Sequence, residues 1–284
     1  MVRKMLFGLV FIFVAGAVYS QETQHGLSVS ELSGNDWVKE KVARSVNWYT
    51  LKNNELFDKP QSINIVKVDL KKRNYDVSVV YSDSSRMLLS EMAEKQDALV
   101  AINGTFFDMK KGGSVVFLKA NDKIVTPPNS DATAIIREAA FTVGDSVRIE
   151  AFPKNEWKNW QTNYDEIMVS GPLLIDNGKQ VEPDSSSFTL TQHPRSAIGI
   201  TYDYELILLT ADGRHENNAN GLTIKELGML MKALNCKAAM NLDGGGSTTL
   251  WLRKKSIINY PSDNKVFDHQ GARTIANGIV ISTN

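Results

Sequence analysis

The chain has 284 residues, of which 42% are hydrophobic and 23% are charged, values that are ordinary for a globular protein with a sizeable core. Its 32 basic and 32 acidic residues cancel to a net charge of zero, which argues against a nucleic-acid-binding protein and against an acidic interaction tail. The only cysteine, Cys236, excludes an intrachain disulfide and a zinc site built on paired cysteines.

The first twenty residues have the pattern of a secretory signal peptide. Arg3 and Lys4 supply a positive start, an apolar stretch runs from Met5 to Val18, and Ser20 places a small residue at the cleavage edge. A membrane anchor is disfavoured because the apolar stretch is short for a span and no stop-transfer charge cluster comes after it. The pattern predicts a secreted or periplasmic protein with no membrane contact after signal cleavage. A single-cysteine exported chain is typical of bacteria.

Residues 21–60 are predicted to form a tail and a helix that docks on the main body. Residues 21 to about 33 are polar and mixed, whereas Asn35 and Asp36 are residues that cap helices, here one running over Trp37 to Val46. No Pro-, Gly- or Ser-rich linker divides the chain beyond residue 60. Residues 61–284 are therefore expected to form one domain.

From residue 63 onward, alternating apolar residues predict strands. Residues 63–70 and 75–81 alternate on either side of a polar turn, which predicts a β-hairpin. Residues 85–96 have helical spacing, and the wholly apolar run from Ala98 to Ile102 predicts a central strand that ends at Asn103. Further short strands are predicted at 115–118, 132–136, 141–143, 147–149 and 167–169.

The C-terminal half contains the clearest helix. Residues 197–202 and 205–210 predict a second hairpin. A helix is predicted next, from Thr223 to Leu234, with Thr223 and Glu226 spaced as a capping box. This helix could cross over to a neighbouring parallel strand at 237–242. Together these elements predict an α+β fold, with a mixed, largely antiparallel twisted sheet, two or three packed helices and a site on loops at strand ends.

The most informative segment runs from Asn241 to Trp251, where three consecutive glycines precede three hydroxyl residues. Glycines have little use inside a strand but suit a sharp turn or a close approach of the backbone to a ligand. The amide groups of Gly244–Gly246 could form a concave nest for an oxyanion, with the hydroxyls of Ser247 and Thr248 donating to the same group. The alternative is a tight turn with solvated hydroxyls.

Three polar residues each come directly after an apolar strand: Asn103, Asp212 and Asp243. Loops at strand ends, positioned by a sheet, commonly carry binding and catalytic residues. Taken singly, each residue is explained as well by a turn, because Asn and Asp often precede Gly in turns. Together with the glycine run, they indicate a site.

These segments resemble the phosphodiester glycosidase family over roughly residues 63 to 282. The longest and most specific match is the run from Asn241 to Thr249. The shorter matching pieces lie at 101–107, 170–172, 193–200, 211–214, 221–227, 273 and 276–279. The resemblance implies an enzyme that hydrolyses the glycosidic bond of a sugar-1-phosphodiester and releases free sugar and a phosphomonoester, with α-linked N-acetylglucosamine as the default sugar.

That reaction implies roles for individual residues. The phosphate is expected to be held by the glycine nest and by Arg195, with Arg273 as a second arginine. Phosphate is a good leaving group, so the main need is a carboxylate acting as nucleophile or as base for water, for which Asp243 is the first choice and Asp212 the second. Glu226 is a third acid, which its capping box explains without catalysis. The other expected substrate-binding residues are Asn103, His193, Arg214, Asn241, Gly244, Gly245, Gly246, Ser247 and Thr248.

Two other functions stay open. A metal-assisted phosphodiesterase would break the P–O bond, but such enzymes usually cluster His and Asp ligands, and the four histidines here are scattered. A non-catalytic module that binds cell wall or phosphoglycan would use the same nest for binding alone. No cofactor is required, and Asp- and Asn-rich loops could hold a structural Ca²⁺, although no EF-hand spacing occurs. The expected partner is a small molecule or glycan that carries a sugar-1-phosphate diester.

Overall fold

The computed structural model describes residues 37–72, 75–82 and 86–284. The predicted signal peptide and the polar tail lie outside the described residues. Within these ranges, no helix combines the length and apolar character that crossing a membrane requires.

Eighteen strands and four helices make up the regular structure of the described residues. The strands are β1 (Val38–Ala43), β2 (Val46–Leu56), β3 (Lys59–Asp69), β4 (Tyr75–Tyr81), β5 (Ala98–Asn103), β6 (Leu118–Ala120), β7 (Lys123–Thr126), β8 (Ala139–Val143), β9 (Val147–Ala151), β10 (Glu166–Ser170), β11 (Leu173–Asp176), β12 (Lys179–Gln180), β13 (Arg195–Thr201), β14 (Glu205–Ala211), β15 (Cys236–Asn241), β16 (Leu250–Leu252), β17 (Ser256–Ile257) and β18 (Asn277–Thr283). The helices are α1 (Leu89–Lys95), α2 (Trp157–Trp160), α3 (Ser187–Leu190) and α4 (Ile224–Ala233).

The strands form three sheets. Sheet A has eight strands in the order β1-β2-β3-β14-β13-β15-β11-β12. Sheet B has the order β17-β16-β5-β18-β4, and sheet C has the order β7-β6-β10-β8-β9. The described pairings between these strands are antiparallel, so the α+β prediction is confirmed, whereas the parallel neighbours expected of a mixed sheet do not occur among them.

One hydrophobic core joins the inner faces of the three sheets. Val66 and Leu208 come to it from sheet A, Ile102 from sheet B, and Phe141 and Met168 from sheet C. Because side chains alternate across a strand, the intervening residues point outward, where a helix covers them. Helix α4 covers sheet A, α1 covers sheet B, and the aromatic residues around α2 cover sheet C. Burial on both faces explains why β5 is wholly apolar up to its last residue.

Several predicted elements are confirmed. β5 is the central strand of sheet B and delivers Asn103 at its end. β13 and β14 form the second hairpin. Helix α4 begins at the cap residue Thr223, and the capping box with Glu226 is present. The helix over 85–96 is confirmed from Leu89 to Lys95.

Other predictions are wrong. The segment from Trp37 to Val46 is not a helix, since β1 pairs with β2. Its valines lie four residues apart, a spacing that fits the alternation of a strand as well as one face of a helix. β3 and β4 are not a hairpin, since β3 pairs with β2 and β14 whereas β4 pairs with β18 in sheet B. Residues 132–136 contain the start of a 3-10 helix instead of a strand. Helix α4 leads to β15, which runs parallel to β14 but is separated from it by β13.

A buried acid, Glu166, links sheets B and C. Glu166 on β10 accepts hydrogen bonds from the backbone N–H of Val79 at 3.3 Å and of Asn121 at 3.2 Å. It lines a cavity of about 610 Å³ together with Asp76, Asp145 and other residues. Burial raises the pKa of Glu166 from 4.5 to about 7, the two N–H donors opposing that rise only in part.

We expect the stability of the protein to fall as pH rises from about 5 to 8. The pKa of Glu166 is higher in the folded state than in the unfolded state, so its contribution is fully present below about 4.5 and is lost as pH rises through about 7. The full loss would be about 3 kcal/mol at most. Urea unfolding at pH 5 and pH 8 measures it. The free energy of unfolding of wild type minus that of Glu166→Gln should become smaller by up to about 3 kcal/mol from pH 5 to pH 8. A difference that does not change with pH would contradict the assignment.

Candidate active site

Asn103 is the point where sheets A and B meet. Its side chain is buried and its amide donates to the Asp243 carbonyl at 2.7 Å. Its side-chain oxygen accepts from the Ser196 hydroxyl at 2.6 Å and from the Thr249 N–H at 3.0 Å. Asn103 was expected to bind substrate; the structure instead commits both ends of its amide to holding the glycine loop between the two sheets.

The glycine loop, residues 243–249, is not a nest of free amides. The Gly244 N–H donates to the Asp243 carboxylate at 2.9 Å, and the Gly245 N–H donates to the Pro194 carbonyl at 2.8 Å. The N–H groups of Ser247 and Thr248 close a 3-10 turn onto the Gly244 and Gly245 carbonyls. Two of the three amides of the predicted nest, those of Gly244 and Gly245, are therefore already bonded within the protein, so Gly244–Gly246 do not form the open oxyanion nest that was predicted.

The glycines of this loop allow the side chains of two arginines, Arg214 and Arg273, to lie directly against the loop backbone. A Cβ on Gly245 would be 2.9 Å from Arg214 Nη2, and a Cβ on Gly246 would be 2.5 Å from Arg273 Nη2. Gly245 also has a φ of +61°, a backbone conformation that glycine adopts at no steric cost. The close approach of backbone to ligand that the sequence indicated is thus an approach of backbone to guanidinium groups.

These two arginines line a cavity of about 300 Å³ beside the loop. Its described lining is polar and mostly cationic, made of Arg214, His215, Ser262, Asp263, Lys265 and Arg273. Asp263 accepts hydrogen bonds from Nε of Arg273 at 3.0 Å and from its Nη2. Arg214 Nη1 faces the Ser262 hydroxyl at 3.4 Å. Guanidinium groups held in this way are suited to an anion such as phosphate.

Asp243 lies at the entrance of the glycine loop, directly after β15 and Leu242. It is half-buried, and its backbone N–H donates to the Gly104 carbonyl at 3.0 Å. Burial raises the pKa of the carboxyl, while the neighbouring Ser247 hydroxyl, the Gly244 N–H and the Arg273 charge oppose the rise. A carboxylate beside a cationic cavity, with a raised pKa, has the position and the basicity that acid–base or nucleophilic work requires.

Asp212, the second predicted catalytic acid, is placed differently. It is 1% exposed and accepts three hydrogen bonds, from Ser62 Oγ at 2.8 Å, Asn259 Nδ2 at 2.9 Å and the Tyr260 N–H at 2.9 Å. Burial raises its pKa to about 6 despite these donors. With three of its roughly four acceptor sites occupied and almost no exposed surface, this carboxyl is not placed to attack a substrate.

Arg195 is also placed differently. It is 2% exposed, and it donates to the Leu222 carbonyl at 3.0 Å and to the carbonyls of Phe188 and Thr191 at 2.6 and 3.0 Å. Its guanidinium lies over the Phe188 ring, and burial lowers its pKa to about 10. The role of phosphate ligand expected for Arg195 therefore does not fit, since its donors hold the backbone around α3.

The remaining expected site residues are divided between framework and rim. Asn241 is buried and donates to the carbonyls of Gly171 and Leu242, and Glu226 accepts from Thr223 in its capping box. His193 is half-buried, and burial, with Arg195 and Arg214 nearby, lowers its pKa. The hydroxyl of Thr248 is buried and has no hydrogen-bond partner among the described residues, whereas the buried Ser247 hydroxyl lies next to the Asp243 carboxyl.

Sequence reasoning missed Asp263 and Lys265. They lie in the polar stretch between β17 and β18, which has the composition of an ordinary surface loop, and no motif marks them. The only available signal was the position of Arg273, whose charge needs a partner if it is held in one place. Among the described residues, no group of three or more His, Cys, Asp or Glu side chains is arranged to hold a metal ion.

Comparison with known proteins supports the family resemblance that the sequence showed. A family model described as phosphodiester glycosidase matches residues 96–282, which is about two thirds of the chain and includes all of the residues that line the cavity. The chain belongs to the phosphodiester glycosidase family.

Curated members of the phosphodiester glycosidase family are distant in sequence. The N-acetylglucosamine-1-phosphodiester alpha-N-acetylglucosaminidases of Mus musculus and Homo sapiens are 26% and 27% identical over 190 residues, which is 63% of this chain. An uncharacterized SPbeta prophage-derived protein, YomE of Bacillus subtilis, is 24% identical over 247 residues, or 74% of this chain. The match spans only 36% of the length of each of these relatives.

Solved structures share the fold. The zebrafish N-acetylglucosamine-1-phosphodiester alpha-N-acetylglucosaminidase catalytic domain, auto-inhibited by its pro-peptide, superposes with a TM-score of 0.68 at 22% identity, covering 84% of this chain and 83% of that chain. A hypothetical protein from Synechocystis superposes with a TM-score of 0.67 at 16% identity, covering 88% of this chain and 64% of that chain. The phosphodiester glycosidase fold is therefore present over most of the chain.

Proposed function

We propose that this protein hydrolyses the glycosidic C–O bond of a sugar-1-phosphodiester, with α-linked N-acetylglucosamine as the first sugar to test. The observation that carries the proposal is the position of Asp243 at the start of the glycine loop, on which the two cavity-lining arginines Arg214 and Arg273 lie, with the Arg273 charge close enough to act on its carboxyl. The names of the mammalian relatives support the sugar and the linkage. The predicted signal peptide supports export to the periplasm or beyond the cell.

The cationic cavity is the proposed phosphate subsite. Arg273 is oriented by Asp263, which accepts from its Nε and Nη2, while its Nη1 faces the Met109 sulfur at 3.7 Å, a weak acceptor that a phosphate oxygen would replace. Lys265 adds a third cation to the lining. A phosphodiester carries one negative charge, and the phosphomonoester released from it carries nearly two. Cations in fixed positions therefore stabilise the transition state, in which this charge develops, more than the ground state.

Asp243 is the proposed catalytic residue. When the bond between the anomeric carbon and the phosphate oxygen breaks, the phosphate departs with its electron pair and needs little protonation. What the reaction needs is a carboxylate on the sugar side, either to attack the anomeric carbon or to take a proton from the attacking water. Both roles require an ionised group, and the Arg273 charge next to Asp243 favours ionisation.

The test of this proposal is the position of bond cleavage. The chain lacking residues 1–20 would be incubated in ¹⁸O-labelled water with N-acetylglucosamine-1-phospho-methyl-mannoside, and the products followed by ³¹P NMR and mass spectrometry. Release of N-acetylglucosamine with an unlabelled phosphomonoester would mean C–O cleavage. Label in the phosphate, or release of N-acetylglucosamine-1-phosphate, would mean P–O cleavage and contradict the proposal. Binding without turnover over a panel of sugar-1-phosphodiesters would favour a phosphoglycan-binding module.

A further inference from the structure

The buried acid Asp212 is joined to two segments that hold the cavity-lining side chains, here called the two walls: the glycine loop, on which Arg214 and Arg273 lie, and the 260–269 loop, which carries Asp263 and Lys265. Its Oδ1 accepts from Asn259 Nδ2 and from the Tyr260 N–H, each at 2.9 Å, while its Oδ2 accepts from the Ser62 hydroxyl. Asn259 and Tyr260 are neighbours in sequence, but the chains of hydrogen bonds and contacts that start at them lead to different segments. Asp212 itself is not among the residues that line the cavity.

The first connection runs through Asn259 to the glycine loop. Asn259 is completely buried, and its Nδ2 also donates to the Thr248 carbonyl at 3.0 Å. Its Oδ1 accepts from the Leu250 N–H at 2.8 Å. Asn259 thus holds the C-terminal end of the glycine loop on both sides of Thr249. The orientation of its amide is fixed because the carboxylate of Asp212 accepts only, so that the NH₂ end must face it.

The second connection runs through Tyr260 to the other wall, the 260–269 loop. The Tyr260 ring stacks on Phe267 at 4.1 Å and on His269 at 4.3 Å, which closes the segment 260–269 into a compact loop. The same loop carries Asp263 and Lys265, two of the residues that line the cavity. His215, on the cavity side, contacts Phe267 at 5.2 Å between ring centroids. The hydrogen bond from the Tyr260 N–H therefore fixes the point at which this loop begins.

We propose that Asp212 is a positioning residue that holds the glycine loop through Asn259 and the 260–269 loop through Tyr260, and so sets the width of the phosphate subsite without touching substrate. The expected effect on turnover rests on the proposed function, whereas the expected effect on anion binding does not. Residues that orient ligand-contacting groups in this way typically change affinity by about 10–100-fold when they are removed.

The conservative variant Asp212→Asn separates positioning from chemistry. An asparagine can keep its Oδ1 toward Asn259 and Tyr260 and donate from Nδ2 to Ser62, because a hydroxyl both donates and accepts. All three contacts then survive although the carboxylate is gone. A catalytic carboxylate would not tolerate this change, whereas a positioning residue should. Asp212→Ala removes all three contacts, and Ser62→Ala is the matched control, since it removes only the contact that leads to neither wall.

The experiment measures the affinity for inorganic phosphate, the KM and kcat on the phosphodiester, and backbone hydrogen exchange of residues 244–250 and 259–269. We expect phosphate affinity, KM and kcat of Asp212→Asn and Ser62→Ala to stay within about threefold of wild type. In Asp212→Ala, phosphate affinity should fall and KM should rise by at least about tenfold, while kcat changes less. Hydrogen exchange in Asp212→Ala should be faster in both segments. Phosphate affinity and exchange test the proposal even if no substrate is turned over.

Two results would overturn the proposal. A folded Asp212→Asn variant with wild-type exchange and a turnover loss above about a hundredfold would place the carboxylate in the chemistry. A folded Asp212→Ala variant with unchanged phosphate affinity and exchange would show that the walls do not depend on it. Should Asp212→Ala fail to fold, Asn259→Ala replaces it: it breaks only the connection to the glycine loop, so unchanged phosphate affinity there would overturn the proposal as well.

Discussion

Asp243→Asn should lower kcat/KM on the sugar-1-phosphodiester by on the order of 10²–10⁴-fold while leaving phosphate binding nearly intact. The substitution keeps the size of the side chain and keeps an oxygen for the Gly244 N–H, which donates to Oδ1 at 2.9 Å. What it removes is the negative charge and the basicity beside the cavity. The loss should therefore appear mainly in kcat, because ground-state contacts with the phosphate do not involve this group.

The pH dependence of the wild-type rate gives an independent check. Burial raises the pKa of Asp243, and activity that needs its ionised form is lost as pH falls through that raised pKa. The acid limb of kcat/KM should therefore lie above the ordinary aspartate pKa of 3.8.

The matched control for Asp243→Asn is Asp203→Asn, because Asp203 is an exposed acid with 74% of its side chain accessible. This variant should leave kcat/KM unchanged. Activity of Asp243→Asn within tenfold of wild type would exclude Asp243 as the catalytic group.

Gly246→Ala should weaken phosphate binding and raise KM by about 10–100-fold in a protein that still folds. The new methyl group would lie 2.5 Å from Arg273 Nη2 and 2.5 Å from Asp263 Oδ1, so the ion pair must move off the loop. The ends of two flexible side chains can move without unfolding the protein. A displaced hydrogen bond to a charged group is worth about 1.5–3 kcal/mol, which corresponds to the stated loss of affinity.

Gly228→Ala is the control for Gly246→Ala. Its methyl group would also press on a flexible polar side chain, at 2.8 Å from Gln180 Nε2, but in helix α4 and away from the cavity lining. Alanine is the better helix former, so stability should hold or rise. Phosphate affinity measured by calorimetry should fall for Gly246→Ala and stay unchanged for Gly228→Ala. Equal affinities in the two variants would mean that the seating of Arg273 on the glycine loop is irrelevant to binding.

The elements that sequence predicted best are those whose signal is local. Helix α4 has a capping box and one apolar face, and β5 is apolar throughout because it is buried on both sides. The N-terminal segment was predicted wrongly because its sequence has no local signal that separates a strand from a helix. Only the pairing of β1 with β2 decides between the two. β3 pairs with the adjacent β2, but its other partner β14 and the partner of β4, β18, lie more than a hundred residues away, and the alternation of apolar residues does not indicate distant partners.

The location of the site stays a prediction, but the structure does bring the glycine run, Arg214 and Arg273 together. A sequence does not indicate the direction in which a donor points, so the amides of the loop were taken to be free and Arg195 was taken to face the phosphate. In the structure, the Asp243 carboxylate and the Pro194 carbonyl accept from two of those amides, and carbonyls around α3 accept from Arg195. Such contacts are decided by tertiary packing.

The place of β18 in sheet B has a consequence for how the protein is made. This strand, Asn277–Thr283, lies between β4 and β5, which precede it by almost two hundred residues. On a ribosome, β4 and β5 therefore cannot pair with β18 until residues 277–283 have been synthesised. Folding is then governed by non-local pairing and is slow, and fragments that end before residue 277 should expose two strand edges and aggregate. We expect chaperones that cover those edges to raise the yield of folded protein in the cell.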